Sequence, residues 1–370
     1  MLKKQVIVNL PQRGAYNYPI FIDYSLISNW QDWLASYTIT KKIVIITDKI
    51  VCKLYAKQFA ASLEKADYDV LLLDFAPGEE AKSFANFEYL LNEILINKCD
   101  RHTLCLAFGG GVVGDLTGFV ASVFMRGIRY IQIPTTLLSM IDSSVGGKTA
   151  INSVHGKNLI GAFYQPGAVV MDISLLKSLP KEQLINGLIE AIKIFLTSDG
   201  EYFKYIQNNL DQILACDKTT LTKVIKRAVE LKADVVAQDE REENLRMILN
   251  FGHSVGHAVE KVSKYNIMHG YAVALGILIE AKISFLLGIL SHNNYQLIEN
   301  IMQRLNINTK MLEPFATKDI ITAMHGDKKN KAGDIYMILL ADIGKIKLSD
   351  SDRVATIVSE DIISKALSLV

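Results

Sequence analysis

"LCLAFGGGVVGDLTGF", Leu104 to Phe119, joins a compact apolar run to a glycine cluster and then to a helix-like run. Gly109, Gly111 and Gly114 fall in G-x-G-x-x-G spacing directly after the apolar run. Without side chains, glycines in this position let backbone N–H groups close on a pyrophosphate at a helix N-terminus. A tight strand-to-helix turn without a ligand gives the same pattern, and the strand–turn–helix context is what favours a dinucleotide site. The fingerprint also asks for an acidic residue about 20 residues further on, at the end of the next strand. Here "YIQIP" ends in Pro134 instead. Asp48, after "IVIIT", is the substitute ribose-binding candidate from another strand, which predicts a dinucleotide fold with a different strand order.

Around this turn the pattern repeats. "KKIVIITD" (41–48), "YDVLLLDF" (68–75), "HTLCLAFG" (102–109) and "YIQIP" (130–134) read as strands, with helix-like stretches at 49–66 and 81–97. The opening "MLKKQVIVNL" has charge and then only a short apolar run, so it reads as a first strand. Continuous apolar strands alternating with helices predict a parallel sheet covered on both faces. From about residue 174 the apolar period changes to that of helices, at 181–197, 201–214, 218–239, 245–262, 270–288 and 293–305. "DIYMILLADIGKIKL" (334–348) reads as a late strand pair. The fold expected is an α/β Rossmann-like domain over residues 1–173, followed by an all-helical domain over 174–370.

Half of the 370 residues are hydrophobic and the net charge is +1, so nothing in the charge balance calls for nucleic acid or an anionic membrane. Cys52, Cys99, Cys105 and Cys216 are scattered without a C-x-x-C pair, which fits reduced thiols in the cytoplasm. "YAVALGILIEAKISFLLGIL" (271–290) is interrupted by Glu280 and Lys282, so it reads as a buried core helix and not a membrane span.

Two polar stretches carry candidate chemistry. "PTTLLSMIDSSVGGKTAINSVHGKNLIGAFYQP" (134–166) reads as glycine-rich loop that supplies Asp142, Lys148, Lys157 and Asn158 near the domain junction. Ammonium groups beside exposed glycine backbone suit a phosphate or carboxylate. Its "GGKT" is not a P-loop, because Asp142 stands where the first glycine of that motif would be. The second stretch, "NFGHSVGH", puts His253 and His257 one helical turn apart. Ser254 occupies the position of the general base in H-E-x-x-H, so this is not the metalloprotease helix. A divalent metal favours imidazole and carboxylate ligands. Spacing nominates His253 and His257, with His269 of "NIMHGYAVALG" or Glu190 of "NGLIEAIKI" as a third. Histidines in helices are also commonly hydrogen-bonded core or surface residues. Lys232, Glu242, Arg246 and Asn250 would, alone, read as a solvated charged face.

Taken together, "GGGVVGDLTGFVA", "FMRGI", "IPTTLLSMIDSSVGGKTAIN", "GKNLIGAFYQP", "LNFGHSVGHAVE", the His269–Gly270 pair and "GDKKNKAG" resemble the 3-dehydroquinate synthases of the sugar phosphate cyclase superfamily, in the same order and over nearly the whole chain. The resemblance implies a dehydroquinate synthase-like fold, an N-terminal NAD-binding domain, a C-terminal metal-binding domain and a homodimer. It implies Glu190, His253 and His269 as ligands of zinc or cobalt, with His257 turned toward the substrate. Substrate-site roles would fall on Arg126, Asp142, Lys148, Asn158, Lys193, Lys232, Glu242, Arg246, Asn250 and Lys328, with Arg126 lent across the dimer interface. NAD contacts would fall on Asp48, Glu79, Lys82, Gly110, Gly111, Gly114, Asp115, Thr135, Thr136, Lys148 and Lys157.

The implied substrate is 3-deoxy-D-arabino-heptulosonate 7-phosphate. NAD oxidises one carbon, phosphate leaves by β-elimination, the same NADH returns its hydride, and ring opening with aldol closure gives 3-dehydroquinate. A doubly anionic substrate accounts for so many lysines and arginines. Arg246 would grip the carboxylate, Lys148, Asn158 and His257 the phosphate end, and Glu242 and Asp142 would position the basic groups and the diol. Tyr271 stands where the family usually has Glu after His-Gly, Glu182 and Gln183 stand for Arg-Glu, and "INSVHGKN" departs from "INHPLGKN". The first departure is expected to alter the surroundings of the metal and soften its binding. Another sugar phosphate cyclase, or a metal- and NAD-dependent polyol dehydrogenase, are the alternative readings.

Overall fold

The computed structural model describes residues 17–326, 334–349 and 353–369. Strands β1 (Ile20–Asp23), β2 (Lys42–Asp48), β3 (Asp69–Phe75), β4 (Leu104–Gly109) and β5 (Tyr130–Pro134) form one sheet with β8 (Ala168–Asp172). All pairings in it are parallel, in the order β1-β8-β5-β4-β2-β3. Successive residues of β2 serve opposite faces. Ile43 and Ile45 pack with Phe59 and Leu63 of the Lys57–Glu64 helix. Val44 and Ile46 pack with Leu90 and Val113 of the Phe84–Ile96 and Gly111–Val123 helices. Burial on both faces is what a continuous apolar strand predicts.

The chain runs from β2 outward to β3, then crosses back to β4 on the other side of β2. That reversal is a topological switch point, where the crevice beyond the carboxyl ends of the strands accepts ligands. Asp48 closes β2 and the Gly109–Gly111 turn closes β4, and the two strands are hydrogen-bonded neighbours. This order explains why the acidic residue precedes the glycine turn in sequence. Gly114 then lets the Gly111–Val123 helix ride close on the sheet, where a Cβ would lie 2.7 Å from Gln132 Oε1, and Gly118 lets it approach Thr149 outside that sheet, where a Cβ would lie 2.4 Å from Thr149 Cγ2.

The stretch expected as loop at 134–166 instead contributes to a hairpin. β6 (Lys148–Ser153) and β7 (Gly156–Phe163) pair antiparallel, with buried Thr149, Ala150 and Ile151 under the glycine-loop helix. The glycines and serines that made it read as loop mark its turn and the approach of a neighbouring backbone.

The helical half contains Lys181–Ser198, Gly200–Leu214, Lys218–Gln238, His253–Val262, His269–Leu286, His292–Arg304, Thr317–His325 and Glu360–Ser368. Strand β9 (Ile335–Met337) pairs with β12 (Thr356–Val358), and β10 (Leu339–Asp342) with β11 (Lys345–Lys347). The strand expected over residues 1–10 lies outside the described residues, as does Lys328. The helix expected over 245–262 is broken. A 3-10 segment, Leu245–Asn250, ends at Gly252, whose φ of +77° starts the α-helix at His253. Likewise 49–66 is helical only to Glu64, with a π segment at Cys52–Ala56.

His269–Leu286 is long and apolar enough to cross a membrane, but it is a core helix, buried on nearly every side among the others. It crosses the His253–Val262 helix at backbone contact. A Cβ on Gly276 would sit 1.8 Å from the Gly252 carbonyl oxygen, and one on Gly270 2.0 Å from the Asn186 carbonyl oxygen. Gly276→Ala should therefore destabilise the fold by about 2 kcal/mol through overpacking against backbone that cannot yield. A denaturant midpoint unchanged from the parent protein would refute this.

Candidate active site

Three helices converge on one buried carboxylate. Glu190 comes from the Lys181–Ser198 helix, His253 is the first residue of its helix, and His269 the first of the next. Nε2 of His269 lies 3.5 Å and Nε2 of His253 3.9 Å from Glu190 Oε1, and the three candidate ligand atoms lie within 4.8 Å of one another. The outer nitrogens are already engaged: His253 Nδ1 is 3.1 Å from the Phe251 carbonyl, and His269 Nδ1 is 3.3 Å from Glu260 Oε2. A carbonyl oxygen only accepts, so His253 carries its proton on Nδ1 and turns the Nε2 lone pair inward.

Glu190 Oε1 is buried and has no hydrogen-bond partner, which is costly unless something positive is bound there. That orphaned oxygen, with two imidazole nitrogens turned to it, fits a divalent cation. Burial opposes ionisation of Glu190, but Lys193 and His269 outweigh it and hold the carboxyl below its ordinary range. Burial likewise works against a charged His269. Glu190 and Glu260, one at each ring nitrogen, reverse that and push its pKa up to about 10. His257 stands exposed beside the triad, its ring 5.2 Å from that of His253 and 6.3 Å from that of His269.

A ring of paired charges surrounds the triad. Lys193, fully buried, bonds to Glu190 Oε2. Lys232 bonds to Asp142, which follows the carboxyl end of β5, and its attraction with that of Lys193 overcomes burial to hold Asp142 far below the usual carboxylate range. Burial in turn lowers the pKa of Lys232, against the pull of Asp142. Lys148 of β6 pairs with Glu242, which also accepts from Asn250. Arg246 is buried, donating to the carbonyls of Glu240 and Gly146. The loop that carries Glu242 and Arg246 is fixed by Asp239, whose carboxylate accepts the amides of Glu243, Asn244 and Arg246 at 2.9–3.0 Å.

On the cofactor side, Lys82 bonds Asp115 at 2.7 Å, bonds Asn158, and lies 3.7 Å from Glu79. Burial raises the pKa of Asp115 against the pull of Lys82. Asp48 caps the residues after β2 by accepting the amides of Ile50 and Val51. The glycine turn faces Thr136, 3.3 Å from a Cβ at Gly110, and Ser143, 3.0 Å from one at Gly111. The Ser143 hydroxyl is buried without a hydrogen-bond partner, so an orphaned polar group faces the glycine backbone at a helix N-terminus, a setting that suits a pyrophosphate. Thr135 is buried beside it. The Lys157 ammonium is 3.7 Å from Glu260 and 3.8 Å above the Tyr265 ring. Arg126 is exposed, with φ +65°, on the turn after the glycine-loop helix. Tyr271 packs on the helical core, Glu182 is exposed, and Gln183 lies beside Asn186 and Met268.

Three residues escaped the sequence reading. Ser143 stood next to Asp142. Glu260 lies seven residues after His253, two turns along the same helix face. Glu280, noted only as an interruption, is fully buried and accepts the amides of Gly252, Ser254 and Val255 at 2.8, 3.1 and 3.4 Å. It caps the double-histidine helix from a neighbouring helix, where a carboxylate also meets the positive end of the helix dipole.

Residues 72–186 match the 3-dehydroquinate synthase N-terminal family model, and residues 187–330 the C-terminal one. The 3-dehydroquinate synthase of Thermodesulfovibrio yellowstonii is 42% identical over 337 residues, 91% of this chain and 94% of that protein. That of Desulforamulus reducens is 39% identical over 94% of this chain and 97% of its own. Among solved structures, 2-deoxy-scyllo-inosose synthase complexed with carbaglucose-6-phosphate, NAD+ and Co2+ superposes with a TM-score of 0.84 at 26% identity, covering 94% and 95% of the two chains. ValA, the 2-epi-5-epi-valiolone synthase of Streptomyces hygroscopicus subsp. jinggangensis with NAD+ and Zn2+ bound, gives 0.87 at 26% identity, covering 99% of both. Glycerol dehydrogenase from Schizosaccharomyces pombe, at 14% identity, a TM-score of 0.66 and coverage of 95% and 88%, shares the fold alone.

Proposed function

This chain belongs to the 3-dehydroquinate synthase family, and we propose that its own site residues convert 3-deoxy-D-arabino-heptulosonate 7-phosphate to 3-dehydroquinate and phosphate in the roles that follow. One observation carries the reading: a triad of buried Glu190 and His253 with half-buried His269 stands amid a basic set drawn from both halves of the chain.

Glu190, His253 and His269 would hold the divalent ion. Asp48, Glu79, Lys82, Gly110, Gly111, Gly114, Asp115, Thr135 and Thr136 would line the NAD crevice at the switch point. When bound, the ion acidifies and orients a substrate hydroxyl, and NAD takes up and returns one hydride. The protein's residues do the rest. Arg246 and Lys148 neutralise the anionic ends of the substrate, as a carboxylate and a phosphate require. Carbonyls and Glu242 hold these two cations, so they are aimed before the substrate arrives. Asp142, kept ionised by Lys232 and Lys193, is the acceptor for a substrate hydroxyl. His257, Asn158 and Asn250 supply further hydrogen-bonding groups at the rim. Lys193 stays buried against Glu190 and sets its orientation.

The reading divides the chain after residue 173, where β8 has ended, and places it in the cytoplasm as a homodimer in which exposed Arg126 reaches the partner's cleft. The four free cysteines suit a reducing compartment.

The test is phosphate release from the proposed substrate with NAD and zinc present, with NADH absorbance followed at the same time. Phosphate released without net NADH, and lost on adding EDTA, is the expected result. A steady rise in NADH would mean a polyol dehydrogenase, and no phosphate would mean another sugar phosphate.

A further inference from the structure

Glu260 has no role in the reading above, yet the metal triad meets the cofactor half of the chain at this residue. It is buried, with Oε2 3.3 Å from His269 Nδ1 and Oε1 3.7 Å from the Lys157 ammonium. Lys157 comes from β7, so the contact spans from the hairpin to the helical half. The ammonium also lies 3.8 Å above the ring of Tyr265, which follows the Glu260 helix. The departure at Tyr271 bears on this. Its phenol packs against the helical core, with its pKa raised by burial and by Glu182, and carries no carboxylate. Glu260 is therefore the carboxylate that the structure offers to the third ligand.

We propose that Glu260 is a positioning residue for the metal: it accepts the Nδ1–H of His269, fixes the tautomer that turns Nε2 toward Glu190, and is itself held in register by Lys157. A carboxylate at the outer nitrogen of a ligating imidazole orients the ring and strengthens its donor nitrogen, and losing such a partner typically weakens metal binding by about 10- to 100-fold. The inference rests on the metal-site reading of the triad. It also alters the reading of Lys157, which acts on the metal through Glu260 and His269 from the domain that holds the nucleotide.

The experiment is a Co2+ titration of the metal-free full-length protein, read by visible absorption and by competition with a chelator, for the parent, Glu260→Ala, Glu260→Gln and Glu190→Ala. Glu260→Ala should bind Co2+ about 10- to 100-fold more weakly than the parent and shift its absorption. Glu260→Gln should bind with intermediate affinity, because its amide oxygen still accepts the Nδ1–H. A merely structural Glu260 would lower the melting temperature of the metal-free protein and leave Co2+ affinity within twofold of the parent, which overturns the proposal. If Glu260→Ala does not fold, Glu260→Gln decides alone: parental affinity and spectrum refute the role. Glu190→Ala separates the two readings. Should it bind Co2+ like the parent, the triad is no metal site and both readings fall. Should it lose binding while Glu260→Ala keeps it, only the role of Glu260 falls.

Discussion

Glu190→Gln should leave a folded protein that retains no metal after dialysis and releases phosphate about a thousandfold more slowly, a loss of about 4 kcal/mol in transition-state stabilisation. Glutamine keeps the volume of the side chain and an oxygen that still accepts from Lys193, so the helix core is not cavitated. What it lacks is the negative charge on the one buried oxygen that faces both imidazoles. Two neutral nitrogens and an amide make a poor ligand set for a hard or borderline dication. The Lys193 ammonium, fully buried, also loses its counter-charge and repels an incoming cation. Elemental analysis of the purified variant, together with its turnover number, decides the matter. Full metal occupancy with parental turnover would sink the assignment of Glu190.

The second large effect falls on stability. Glu280→Ala should cost at least about 3 kcal/mol, since it strands three buried amides at about 1 to 3 kcal/mol each and leaves a cavity besides. The amides of Gly252, Ser254 and Val255 sit at the start of the helix whose first residue is His253, and all three residues are buried. Metal affinity should fall with stability, because that helix start sets the direction of the His253 ring. Glu280→Gln, which keeps one acceptor, should recover part of the loss. Chemical denaturation of both variants checks this, and an alanine variant as stable as the parent would show that the cap contributes nothing.

Glu280 also shows where sequence reading stops. Apolar periodicity placed the strands from β2 to β5 and most of the helices to within a few residues, because burial on both faces of a sheet and along helix stripes leaves a repeating mark. It missed the β6–β7 hairpin, where glycines and serines outweighed the short alternation of Thr149, Ala150 and Ile151. It also ran a helix through Gly252, since a single αL residue is invisible to a period count. The site was legible to the extent that its chemistry follows residue type. Histidine and glutamate nominate metal ligands, but spacing alone named His257 with His253 ahead of Glu190 or His269. Only the resemblance separated them in the sequence, and the structure gathers Glu190, His253 and His269. Glu260 and Glu280 carried no motif. Their work is done across contacts between helices that lie 9 and 25 to 28 residues apart in the chain, and only a fold supplies those contacts.

The triad has a consequence for how the molecule holds together. Its ligands lie on three separate helices, two of which meet at the Gly276–Gly252 backbone contact, so the unfolded chain contains no comparable set of donors. A bound ion is then a cross-link contributed by the solution, and its concentration enters the folding equilibrium directly. At a hundredfold excess over the dissociation constant it adds about 2.7 kcal/mol to the native state. With Glu190, His253 and His269 as the ligands, the supply of the divalent ion would set how much of this chain stays folded as well as how much of it is active.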